Sequence, residues 1–215
     1  MVMDDQVAEL RREYEALGLI ERDMAVDPIT QFRIWFDGIL EAGLDEPNAF
    51  VLATAGADGR PSARALLMKG FDEAGLVFYT NLAGRKSEEL RVNPWAAATF
   101  VWAPLHRQVR FEGQVTLVDD DEADRYFEVR PRGAQIAAHA SPQSSVVESR
   151  EKLDESFREI DRRFRGVRVP RPRAWGGWRL VPDSVEFWQG QPNRFHDRVR
   201  YVREGEGWRK ERLAP

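Results

Sequence analysis

Residues 49–69 read AFVLATAGADGRPSARALLMK. Small and β-forming residues fill 50–55, Gly56-Ala57-Asp58-Gly59 supplies a turn, and 61–69 reads as the return strand. Two such runs joined by a Gly/Asp turn make an antiparallel hairpin. Further along the chain, 75–80 (GLVFYT), 95–102 and 108–118 read as further strands. Most connections are too short for βαβ crossovers, so the meander implies an antiparallel sheet or barrel. Residues 178–181, 185–188, 199–202 and 208–212 supply the last strands.

Helices flank these strands, and the expected class is mainly β with flanking helices (α+β). A short charged helix is expected over 5–17, carrying Arg11, Arg12 and Tyr14. Asp27-Pro28 starts the next, with Asp as N-cap and Pro in the first turn. Ile29, Phe32, Trp35, Phe36, Ile39 and Leu40 recur there at helical spacing, and Gly43 ends it. Residues 84–92 fit a short helix closed by Asn93-Pro94. Residues 119–129 fit a helix opened by acidic groups and interrupted by Pro131. A polar loop at 141–145 precedes a long charged helix over 146–164, and 169–172 is a stiff linker.

Composition narrows the function. A chain of 215 residues suits one domain. The absence of cysteine excludes disulfides and thiolate catalysis. The three histidines, His106, His139 and His196, lack metal-ligand spacing, so no metal site is expected. A net charge of −4 argues against a general nucleic-acid binder. No apolar run is long enough for a membrane helix, and the charged start lacks a secretory core, so a cytoplasmic protein is expected. Seven Trp and twelve Phe are many for this length; they fill a core or wall a planar ligand.

Several cations stand where an anion would explain them. In VEFWQGQPNRFHDR (185–198), Arg194, His196 and Arg198 lie two apart, so an extended segment puts them on one face. Phosphate is a natural partner for such a face, and an exposed cationic edge strand is the plain alternative. Arg85-Lys86 follows Gly84 at a helix start, where cations oppose the helix dipole unless an anion binds. Arg64 and Lys69 flank an apolar strand on opposite faces unless a bulge intervenes. Tyr126 and Arg130, four apart, share a helix face and suit a phosphate monoester or a surface pair. Gln108 suits a heterocycle edge; Gln143-Ser144-Ser145 is either a donor loop or a helix N-cap.

These motifs in this order resemble the pyridoxamine 5′-phosphate oxidases, flavin enzymes that make pyridoxal 5′-phosphate. The resemblance runs from RREY (11–14) to RLAP (212–215), through RALLMK (64–69), FYTN (78–81), GRKSEEL (84–90), RQVRFEG (107–113), YFEVRPRGAQI (126–136), SPQSS (141–145), WGGWRL (175–180) and 185–198. It implies an FMN-binding split β-barrel, one domain over 1–215, working as a homodimer with FMN at the subunit interface. Residues 1–26 would form an N-terminal arm, with a mobile lid at 11–14, and 173–215 the dimerisation and substrate-binding strands. Arg64, Arg85, Lys86 and Ser144 would hold the flavin phosphate. Lys69, Tyr79, Thr80, Gln108, Gln143, Trp188 and Arg198 would complete the flavin site. Lys69, Tyr126 and Arg130 would bind the substrate phosphate, with Arg11 and Tyr14 on the lid. Arg194 and His196 would be the catalytic residues over the pyridine ring.

The implied reaction oxidises pyridoxamine or pyridoxine 5′-phosphate to pyridoxal 5′-phosphate. Oxygen is the acceptor, hydrogen peroxide is released, and the amine also yields ammonia. Two departures stand out: Ala134 where many members have serine on the substrate phosphate, and His139 where tryptophan is frequent. A split-barrel flavin or deazaflavin reductase, and a non-catalytic FMN or pyridoxal phosphate carrier, are the competing readings.

Overall fold

The computed structural model describes residues 18–215. The helix expected over 5–17, with Arg11 and Tyr14, lies outside the described residues. Five α-helices are described: α1 Pro28–Glu41, α2 Arg85–Val92, α3 Asp120–Glu128, α4 Arg132–Ala140 and α5 Arg150–Arg163. The strands are β1 Ala49–Ala55, β2 Pro61–Leu67, β3 Gly70–Asp72, β4 Gly75–Asn81, β5 Trp95–Trp102, β6 Arg107–Leu117, β7 Trp175–Gln189, β8 Asp197–Glu204 and β9 Gly207–Leu213. They form one sheet in the order β2-β1-β5-β6-β7-β4-β3, with β8 on β7 and β9 on β8. The class expected from the sequence is the class observed.

The chain divides into two compact units. The first holds the described residues up to Pro47, with Thr99–Phe111 and Asp183–Pro215. Its core forms where the apolar stripe of α1 meets aromatic side chains. Phe32 lies 5.1 Å from the Phe100 ring and 5.0 Å, edge-on, from Phe111; Trp35 lies edge-on to Phe187 at 5.1 Å. Asp27 caps α1 as expected, accepting from the Thr30 amide at 2.8 Å. β7 and β8 pair antiparallel here, with Trp188 opposite Arg198.

The second unit is Asn48–Ala98 with Glu112–Pro182. The β1–β2 hairpin sets Leu52 opposite Arg64, and β4 pairs antiparallel with β7, Tyr79 opposite Gly177. A core cluster of Phe127, Ile136, Val169 and Trp175 packs beneath Tyr79 and Tyr126.

Four boundaries differ from the sequence reading. The strands expected at 178–181 and 185–188 are one strand, β7. Pro182 lies within it, and two glycines pack closely there: a Cβ on Gly75 or Gly113 would lie 2.0 Å from the Leu180 or Val181 carbonyl oxygen. Pro131 ends one helix and caps another, α4, which the sequence reading does not separate. The charged helix starts at Arg150 behind Ser149, whose side chain accepts from the Lys152 amide, not at 146. The short β3 is an addition to the expected strands.

Candidate active site

In the second unit, Lys86 sits in the first turn of α2 and is buried at 7% exposure. Its Nζ donates to Thr80 Oγ1 at 2.9 Å and Gln143 Oε1 at 2.6 Å. Both partners are neutral. Burial, then the nearby Arg64 charge, pushes the ammonium below its ordinary pKa. Gly84, which caps α2 without a side chain, is required by close approach. A Cβ there would lie 2.8 Å from Gln143 Oε1 and 3.3 Å from Ser144 Oγ. Ser144 itself adopts φ 72°, a left-handed backbone that turns the 141–145 loop over the helix start.

Beside this cradle lies a carboxylate that sequence reasoning missed. Glu89, buried on α2, accepts from Thr54 at 2.5 Å, Ser62 at 2.6 Å and Arg85 Nε at 2.7 Å. Arg64 reaches Oε2, the oxygen shared with Thr54 and Ser62, at 3.5 Å, and donates to Thr54 Oγ1 at 2.6 Å and to Ser62. Burial alone would raise the Glu89 carboxyl. The bonds from Ser62, Thr54 and Arg85 outweigh it and hold the pKa at about 2. Its spacing of four from Arg85 was the available sequence signal.

A second cluster in this unit is aromatic. Tyr79 stacks on Tyr126 at 4.1 Å and on Trp175 at 5.4 Å, and Gly177 leaves room for the Tyr79 ring. The Arg130 guanidinium covers the far partner, 4.6 Å from the Trp175 ring. Arg130 is not on the helix with Tyr126, because α3 ends at Glu128; both residues meet Trp175 instead. Arg130 Nη1 is buried with no hydrogen-bond partner among the described residues. Tyr79, expected with the flavin group, also donates to Glu122 at 3.1 Å. Lys69 is exposed beyond the end of β2, with its amide bonded to the Val77 carbonyl at 2.8 Å. Ala134 lies in the first turn of α4, its amide bonded to the Pro131 carbonyl at 2.8 Å. His139 serves packing, with Nε2 at 2.7 Å from the Pro170 carbonyl oxygen and the ring against Phe164.

The first unit carries the remaining expected residues. Gln108 and Trp188 border one cavity of about 270 Å3, with Val101, Ala103, His106 and Arg107. Arg194, His196 and Arg198 do not form one extended face. Pro192–Arg194 is a 3-10 turn, and Asn193 and Arg194 have φ 57° and 59°. The turn leaves Arg194 exposed and sets His196 against the Trp188 ring at 4.7 Å. Arg198, in β8, finds a carboxylate: Glu186, 3% exposed, accepts its Nε at 2.7 Å and Arg110 Nη2 at 2.8 Å. The Glu186 hydrogen bonds raise the Arg198 pKa.

Residues 36–168 match the family model described as pyridoxamine 5′-phosphate oxidase. Residues 175–215 match the model for the pyridoxine 5′-phosphate oxidase C-terminal dimerisation region. The chain belongs to the pyridoxamine 5′-phosphate oxidase family. Among its relatives in that family, the pyridoxine/pyridoxamine 5′-phosphate oxidase of Rubrobacter xylanophilus is 56% identical over 97% of this chain and 96% of its own. The crystal structure of PhzG from Burkholderia lata, in complex with tetrahydrophenazine-1-carboxylic acid, is 33% identical with a TM-score of 0.86, covering 92% of this chain and 98% of that one. A pyridoxamine 5′-phosphate oxidase-related, FMN-binding protein of Nostoc punctiforme shares the fold at TM-score 0.69 and 21% identity, covering 89% of this chain and all of that one. Its membership makes this chain an oxidase of the split-barrel kind. No helix among the described residues is long and apolar enough to cross a membrane.

Proposed function

We propose that this protein is a homodimeric, cytoplasmic FMN-dependent oxidase of pyridoxamine and pyridoxine 5′-phosphate, with FMN at the subunit interface. Oxygen is the acceptor, pyridoxal 5′-phosphate and hydrogen peroxide are the products, and the amine also releases ammonia. The observation that carries this reading is a pair of cationic side chains in one unit, buried Lys86 and half-buried Arg130 with its Nη1 buried, each lacking an anion among the described residues. Lys86 has only neutral partners among the described residues, and Arg130 Nη1 has none. Two such positions suit two phosphates, one on a flavin nucleotide and one on a vitamin B6 phosphate.

The residues present fit FMN. Gly84 leaves the space that a Cβ would fill beside Gln143 and Ser144, and Lys86, Arg64, Arg85 and Ser144 hold the flavin phosphate. Thr80, Tyr79, Gln143, Gln108, Trp188, Lys69 and Arg198 serve the rest of the flavin. When bound, FMN supplies the hydride acceptor and is returned to its oxidised form by oxygen. Arg130, Tyr126 and Lys69 take the substrate phosphate, joined by Arg11 and Tyr14 from the arm at 1–26. Arg194 covers the pyridine ring and steadies the substrate as hydride departs, and His196 stands beside it. The 173–215 segment supplies dimerisation and substrate-binding strands to a single domain.

A flavoprotein of other specificity is the second reading, favoured by the similarity to PhzG, whose crystal ligand is a carboxylic acid without phosphate. Anaerobic addition of pyridoxamine 5′-phosphate to the FMN-bound protein separates the two. Bleaching of the flavin absorbance that reverses on admitting air is expected. An unchanged spectrum sinks the oxidase reading.

A further inference from the structure

The turn between β7 and β8 fixes which nitrogen of His196 carries a proton. The Gln191 backbone nitrogen lies 3.1 Å from His196 Nδ1. An amide nitrogen donates and does not accept, so Nδ1 is the acceptor and bears a lone pair. The neutral ring then keeps its proton on Nε2. Trp188 packs on the ring at 4.7 Å and 48°, which limits its rotation.

The donor is itself held in place. The Gln191 side chain donates Nε2–H to Asp197 Oδ2 at 3.0 Å. The same oxygen accepts the Leu19 amide at 3.0 Å, and Arg212 donates to Oδ1 at 2.5 Å. The preceding residue is tied down too, since the Gly190 amide donates to the His106 carbonyl at 2.8 Å. Asp197 sits between His196 and Arg198, yet its side chain points at Gln191 and Leu19.

We propose that His196 presents Nε2–H to the substrate as a hydrogen-bond donor, that the Gln191 amide sets this tautomer, and that Asp197 is the positioning residue holding Gln191. The proposal rests on the placement of His196 beside the substrate. A neutral ring of this tautomer has its one basic nitrogen turned to the Gln191 amide. It donates to an acceptor atom of the substrate, and it does not remove a substrate proton through Nε2.

Nitrogen NMR of the full-length, FMN-bound protein labelled with 15N-histidine tests this at about pH 8, above the ordinary histidine range. There are three histidines, and His196→Asn identifies the signals of the third. The expected spectrum for His196 has a protonated Nε2 and an unprotonated Nδ1. A proton on Nδ1 overturns the proposal. Asp197→Ala is expected to give a mixture of the two tautomers; an unchanged His196 spectrum removes Asp197 from its role. No substrate is added, so the tautomer and the oxidase reading fail separately. Flavin that does not bleach leaves the nitrogen result intact.

Discussion

The cradle around Lys86 and the turn around His196 carry charge in opposite ways. The cradle is built on regular elements: α2 supplies Arg85, Lys86 and Glu89, and the β1–β2 hairpin supplies Thr54, Ser62 and Arg64. Lys86 and Glu89 are buried, and its charges are hydrogen-bonded before any ligand arrives. The turn is built on irregular backbone, with left-handed residues at Asn193 and Arg194, and leaves Arg194 in solvent. A buried cationic cradle suits tight, lasting retention of one anion. An exposed arginine on a turn suits a molecule that must enter and leave on every cycle.

The difference can be broken by substitution, and the largest effect is expected at the turn. Arg194→Ala is predicted to lower turnover by about 100-fold, the scale of losing substrate placement, while FMN stays bound. Turnover within a few-fold of the parent protein would show that the turn does not place the substrate.

The cradle responds through stability instead. Glu89→Gln leaves Arg64 and Arg85 without their carboxylate, and a loss of about 2 kcal/mol in unfolding free energy is expected. Acid should act on the same group. Its folded pKa of about 2 lies below the ordinary 4.5. Its contribution is therefore full above about pH 4.5 and is lost as pH falls through about 2. Urea titrations of the parent and Glu89→Gln should converge at the acid end of that window. A constant gap would assign the stabilisation to packing.

The smallest effect is expected at Ala134. Ala134→Ser places a hydroxyl in the first turn of α4, close in sequence to Arg130. Substrate affinity should rise by about tenfold, the lower end of the about 1.5–3 kcal/mol that one hydrogen bond to a charged group is worth, because ordering the side chain offsets part of it. No change in the dissociation constant would mean that other donors already serve the phosphate there.

How far the sequence could be read follows the same divide. The hairpin at 49–69 was legible because alternation and turn chemistry are local. Arg85-Lys86 was legible because two cations at a helix start conflict with the helix dipole. Glu89 was hidden because its importance comes from four hydroxyl and guanidinium donors, three of them on other segments. Trp175 opens the WGGWRL motif without marking itself out. Its ring matters only once folding brings Tyr79 and Arg130 to it. The extended face drawn through Arg194, His196 and Arg198 failed because two left-handed residues reset the period of two. Glu186 then supplies the anion that Arg198 lacked in the linear reading.

The central claim is that Lys86 and Arg130 serve two different phosphates. Binding constants for FMN to the apo-protein, and for pyridoxal 5′-phosphate to the FMN-loaded protein, should be measured in Lys86→Met and Arg130→Met. Lys86→Met is expected to weaken FMN by about 10- to 100-fold and leave product binding to the loaded protein within a few-fold. Arg130→Met is expected to do the reverse. If both variants weakened the same ligand and spared the other, the two cations would share one anion and the assignment of two phosphate sites would be wrong.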